Sequence, residues 1–234
     1  MAAKGELPSV AGANAVDAFV REVERLPSAR RGASRGRLLF AMDATASREP
    51  TWDHACSLQG EMFVAAETLG GLDVRLAFYR GFDEFKVSKW TSDGHELARL
   101  MGSVRCLAGR TQIARLLRYA AEQRRESRLD AVVFVGDCCE EDVDAIGHEA
   151  GQLGLLGLPV FVFHEGEDRV ASRLFPQIAK LTRGAYCKFD RSSPDQLKRL
   201  LGAVAAYAAG GRQALADYSK KQGGAAALLT RQLK

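Results

Sequence analysis

Three short stretches of the sequence carry side chains able to hold a hard divalent cation. Asp43-Ala-Thr45-Ala-Ser47 sets a carboxylate and two hydroxyls at alternate positions, so an extended turn points all three the same way. Gly109-Arg110-Thr111 adds a third hydroxyl, and Gly136-Asp137 a second carboxylate. Mg²⁺ takes about six oxygen ligands at about 2.0–2.1 Å and keeps waters readily. Two carboxylates roughly neutralise such an ion, and the hydroxyls add oxygen without charge. The metal keeps its Lewis acidity, so an incoming Asp or Glu can complete its shell. Mg²⁺ is the expected ion, with Mn²⁺ and Ca²⁺ as the other oxygen-seeking choices.

Loops from distant parts of the chain meet only if the elements before them lie side by side. Residues 38–42, 131–135 and 160–163 are continuous apolar runs of the kind a strand buried on both faces produces. Residues 72–79 and 185–189 read as further strands, and the partly polar residues 84–90 as a short antiparallel strand at an edge. Apolar residues at helical spacing mark helices over 55–69, 93–101, 112–124, a stretch ending near 156, 172–181 and 194–209. Alternating buried strands and helices predict a doubly wound, mostly parallel six-stranded α/β sheet with helices on both faces. In such a sheet, sites form at the carboxyl ends of strands, where the connections diverge. Asp43 and Asp137 each stand just past such an end.

With these residues in place, the sequence resembles a von Willebrand factor A (VWA) domain, and the five residues resemble its metal-ion-dependent adhesion site. That signature is D-x-S/T-x-S after the first strand, a Thr in a following loop and an Asp after the fourth strand. Asp43, Thr45, Ser47, Thr111 and Asp137 match it. D-x-[ST]-x-S alone arises by chance in roughly one chain in ten of this size. The discriminating features are the buried strand before it and the ordered Thr and Asp downstream. The resemblance covers residues 36–209 and implies a Rossmann-like fold and a metal-dependent protein-interaction module. By analogy with intracellular relatives it implies an adaptor for an AAA+ ATPase or a stress-response complex. Thr45 departs from the commoner Ser but keeps the hydroxyl.

Plainer roles compete for these residues. Thr111 or Asp137 could cap the helix that follows it, and the Asp43 turn could merely satisfy backbone donors. Asp137 is followed by Cys138-Cys139-Glu140-Glu141-Asp142, which suits a helix start or an acidic rim. Because such a rim repels a carboxylate, Arg48 or Arg110 is expected as the counter-charge facing a partner, with Glu140 beside it.

The 234 residues are 47% hydrophobic and 26% charged, the balance of a globular protein with a sizeable core. No apolar run reaches the roughly 18 residues of a membrane helix, and the first residues lead into no signal-peptide core, so a cytoplasmic protein is expected. Five cysteines with no C-x-x-C pair fit that setting. Residues 1–35 read as an arm, a short helix and a basic linker, and residues 210–234 as a tail. A net charge of +4 does not demand nucleic acid. An RNA-associated scaffold using Arg30, Arg31, Arg35 and Arg37 is one alternative, although no aromatic residue is interleaved for stacking. The other is a metal-dependent phosphoester hydrolase. Against it, position 45 is not a second carboxylate, phosphate-loop and nucleophile-elbow motifs are absent, and the four histidines show no ligand spacing. His164 is expected to end its strand with hydrogen bonds. No enzymatic activity is expected.

Overall fold

The computed structural model describes residues 35–50, 52, 72–189, 202–204, 207 and 208. Its strands are β1 (Gly36–Asp43), β2 (Leu72–Arg80), β3 (Glu84–Val87), β4 (Ala131–Gly136), β5 (Val160–Glu165) and β6 (Ala185–Phe189). Its helices are α1 (Gly94–Ser103), α2 (Ile113–Glu126), α3 (Val143–Leu155) and α4 (Ala171–Leu181). Helical backbone also occurs at positions 49, 50, 52, 202–204, 207 and 208. The short helix expected within residues 1–35, the helix expected over 55–69, the start of the one over 194–209, and the 210–234 tail lie outside the described residues.

The strands form one sheet in the order β3-β2-β1-β4-β5-β6. All neighbours are parallel except β2 and β3, which are antiparallel. Every residue of β4 and β5 is buried, which is why those segments read as unbroken apolar runs. Successive residues point to opposite faces. Leu38, Phe40, Met42, Val133 and Val135 pack on one side with Leu97 and Met101 of α1 and with Val204 and Tyr207. Leu39, Ala41, Val132 and Phe134 pack on the other with Leu116 of α2, Ile146 of α3 and Phe175 of α4. Each such aliphatic or aromatic side chain, fully buried, contributes about 1.5–3 kcal/mol before conformational entropy is counted.

The edge strand is shorter than the expected 84–90. At Ser88 the side chain takes over the ladder: its Oγ accepts from the Leu76 N–H at 3.0 Å, while its own N–H donates to Leu76 at 2.8 Å. Pairing resumes only as a single bridge between Val74 and Thr91. Trp90 turns back over the sheet edge, with the guanidinium carbons of Arg75 and Arg37 4.6 and 5.3 Å from its ring. Arg35 and Arg37 also face Asp73, at 3.2 and 4.0 Å. These two arginines of the proposed RNA-binding group are therefore engaged with the domain, and Arg30 and Arg31 lie outside the described residues. Among the described residues no helix is long and apolar enough to cross a membrane.

Candidate metal centre

From β1 the chain turns to β2 on one side, whereas β4 lies on the other, so the connections part between β1 and β4. Asp43 ends β1, and Asp137 follows the last residue of β4. The two carboxylates thus flank the crevice that this topology opens. Both are buried, Asp43 completely and Asp137 to 9% exposure.

Backbone contacts hold three loops against one another. Ala44 donates to Tyr79 of β2 at 3.0 Å and accepts from Leu107 at 3.0 Å, with Thr45 and Leu107 bridged in parallel. Arg110 donates to the Gly81 carbonyl at 3.0 Å. The two backbones pass so closely there that a Cβ on Gly109 would stand 1.9 Å from the Gly81 oxygen, so only glycine fits. Thr111 is buried, and its hydroxyl accepts from the Glu140 N–H at 3.1 Å, joining the second loop to the third.

Neither capping alternative holds. The cap position of α2 is Gln112, whose side chain makes no capping bond to the helix. Glu141 instead reaches across from the β4–α3 loop, and its two oxygens accept from the Ile113 and Ala114 N–H groups, the second at 3.0 Å. Asp142 caps α3 itself through the Asp144 N–H at 3.0 Å. Two of the three acidic residues expected at a rim are therefore helix caps. Glu140 remains exposed, as does Arg110.

Within the crevice, Asp43 Oδ1 accepts from the Thr45 N–H at 2.8 Å and Oδ2 from the Tyr79 hydroxyl at 3.0 Å. Each carboxylate oxygen keeps a lone pair beyond these bonds. The Thr45 and Ser47 hydroxyls are 3.1 Å apart, and Ser47 Oγ lies 3.8 Å from Cys138 Sγ. One ligand atom each from Asp43, Asp137 and Cys138 fall within 4.8 Å of one another. Asp137 Oδ1 is buried with no hydrogen-bond partner. A buried orphan acceptor costs about 1–3 kcal/mol, more when charged, so a cation is the natural complement to this oxygen. Burial raises Asp43 from 3.8 to about 6, with Asp137 adding to the rise while the bonds from Thr45 and the nearby Arg48 oppose it. Burial, with Asp137 beside it, pushes the Cys138 thiol up to about 12. Burial and Asp43 keep the Tyr79 phenol protonated, fixing it as a donor.

One expected partner-facing residue sits elsewhere. Arg48 is 1% exposed and turned into the protein, so it cannot face a partner. Its Nη2 and Nε donate to Glu165 Oε2 at 2.9 and 3.2 Å, and its Nη1 donates to the Asp43 carbonyl at 2.9 Å. The Trp52 ring lies 5.4 Å from its guanidinium carbon. Arg48 thus ties the Asp43 turn to the end of β5. His164, also buried, pairs Nδ1 with the Tyr186 hydroxyl at 2.9 Å, and burial lowers its pKa. Cys138, Tyr79 and Glu165 are the residues the sequence reading missed. Tyr79 was discoverable, since it stands directly opposite Asp43 in the register of β1 on β2.

The sequence matches no protein-family model, and no curated protein matches it. Solved structures do match. A von Willebrand factor type A protein from Catenulispora acidiphila superposes with a TM-score of 0.60 at 14% identity, covering 74% of this chain and 43% of that one. BatB from Bacteroides thetaiotaomicron gives 0.55 at 16%, covering 79% of this chain and 99% of that one. Proximal thread matrix protein 1 from the mussel byssus, with zinc in its adhesion-site motif, gives 0.57 at 15%, covering 74% and 46%. The chain therefore spans less than half the length of two of these three. Strand order, the single antiparallel edge and these superpositions agree: the chain has the von Willebrand factor A fold.

Proposed function

We propose that the protein is an intracellular interaction module that binds a partner's Asp or Glu through a divalent cation held by Asp43 and Asp137. The carrying observation is the buried, unpartnered Asp137 Oδ1 facing a second buried carboxylate across the switch point of the sheet. Thr45, Ser47 and Thr111 supply hydroxyls from the same loops. When bound, the cation supplies a Lewis-acidic position that an anionic oxygen completes. Mg²⁺ suits the all-oxygen part of this set. Arg110 is the counter-charge for the incoming carboxylate, because Arg48 is engaged with Glu165 and the Asp43 backbone. The zinc-bearing motif of the byssus protein supports a divalent ion at this position in the fold.

Non-catalytic binding is the reading the side chains favour. Burial pushes Cys106 and Cys139 up to about 11, like Cys138 well above the range in which a thiol is a ready nucleophile. None of the four described cysteines is joined in a disulfide, which suits a reducing compartment. Capture from native lysate with and without EDTA tests the proposal, using wild type and Asp43→Ala. The expected result is a protein retained by wild type with Mg²⁺ and released by EDTA or by the substitution. Equal capture in all arms, or no Mg²⁺-dependent rise in melting temperature, refutes it.

A further inference from the structure

We propose that Cys138 is itself a ligand of this centre, and that its thiolate makes the site take Zn²⁺, a borderline-soft cation, in preference to Mg²⁺. The inference rests on reading the crevice as a cation site and adds a residue that the oxygen signature does not contain. Cys138 Sγ belongs to the same cluster as the two carboxylates, with all three ligand atoms within 4.8 Å of one another. A tetrahedral Zn²⁺ with Zn–O near 2.0 Å and Zn–S near 2.3 Å separates its ligands by about 3.3–3.7 Å. The 4.8 Å bound therefore leaves at most about 1.5 Å to close between any two of the ligand atoms. The orphan Asp137 Oδ1 is an independent sign that a cation belongs here.

The other described cysteines are placed differently. Cys139 is buried and directs its Sγ to the Glu141 carbonyl at 4.0 Å, Cys187 is buried in the core, and Cys106 packs against that core. Cys138 is half-buried beside the Ser47 hydroxyl, so an ion can reach it from solvent. Coordination as thiolate releases the thiol proton to solvent. Mg²⁺ demands near-octahedral oxygen geometry and has little affinity for sulfur, whereas thiolate ligands select zinc-like ions.

The test uses the full chain and two probes. Co²⁺, a spectroscopic stand-in for Zn²⁺, is expected to give a near-ultraviolet sulfur-to-cobalt charge-transfer band in wild type and in Cys106→Ser, and none in Cys138→Ser. In competition melts, Cys138→Ser is expected to lower the preference for Zn²⁺ over Mg²⁺ by tenfold or more while keeping the Mg²⁺-dependent shift. Asp43→Ala is expected to lose both. A Mg²⁺ shift that depends on Asp43 with no cobalt band, or a band that survives Cys138→Ser, overturns the proposal and leaves the oxygen site standing. Absence of any cation-dependent shift in wild type overturns both.

Discussion

Replacing Asp43 by Asn removes one charge from the crevice while preserving its shape, and it should act in opposite directions with and without cation. Without cation, folding places a carboxylate that ionises near 3.8 into a site where it ionises at about 6. A raised acid is bound to its proton more tightly when folded. Stability is therefore undiminished below pH 4 and declines as pH rises toward 6, after which the loss is constant. At about 1.4 kcal/mol per pKa unit, the ionised carboxylate costs the folded state about 3 kcal/mol at pH 8. Asn still accepts the Thr45 N–H through its carbonyl, while its amide faces the Tyr79 hydroxyl, which then loses its carboxylate acceptor at a cost of about 1 kcal/mol. Asp43→Asn should thus stabilise the cation-free protein by about 2 kcal/mol, or about 4–8 °C in melting temperature for a domain of this size. Wild type with cation at one hundred times its dissociation constant should gain about 2.7 kcal/mol, and the variant nothing. Thermal melts of both proteins at pH 8 and pH 5, in EDTA and in excess Mg²⁺, read all of these. The gap between them in EDTA should shrink at pH 5. A variant no more stable than wild type in EDTA at pH 8, or one that keeps the cation shift, would refute the reasoning.

Other perturbations follow from the same geometry. Arg48→Met removes the guanidinium from a buried ion pair with Glu165 and should destabilise by about 3–5 kcal/mol by urea unfolding, with Arg48→Met/Glu165→Met recovering part of the loss. Gly109→Ala forces a methyl against the Gly81 carbonyl, so it should lower both the melting temperature and the cation-dependent shift in the same scan. Glu141→Ala removes the acceptor for two N–H groups of α2; a loss of about 1–2 kcal/mol is expected, with faster hydrogen exchange at Ile113 and Ala114. Arg110→Glu, on an exposed side chain, should weaken partner capture while leaving the cation-dependent melting shift within about 0.5 kcal/mol of wild type.

The sheet was legible because its inner strands are buried on both faces. Residues 131–135 and 160–163 have no polar alternation to confuse them with a surface strand, and the helices between them repeat their apolar residues at regular spacing. The carboxylates were legible because each immediately follows such a run. What escaped was set by contacts distant in sequence. Arg48 and Glu165 are 117 positions apart, and a lone arginine after a turn is ordinarily solvated, so nothing local announced a buried pair. Nothing in the sequence sets Cys138 apart from the other cysteines, because a thiol's role depends on what stands across the crevice. Glu141 resembled part of an acidic rim, yet the helix it caps is the one before its own strand. The edge strand ended early because a serine hydroxyl replaced a backbone acceptor, a substitution that residue type alone does not reveal.

The carboxylate of Glu141 gives α2 a beginning that the helix does not own. The loop that presents Asp137 and Cys138 to the crevice is also the loop whose next residues hold the first turn of that helix. The Thr111 hydroxyl, just before α2, accepts from the Glu140 N–H of the same loop, so the helix start is fastened to it at two points. The two ends of one short loop therefore serve two layers of the domain, the crevice through Asp137 and the helical layer through Glu141.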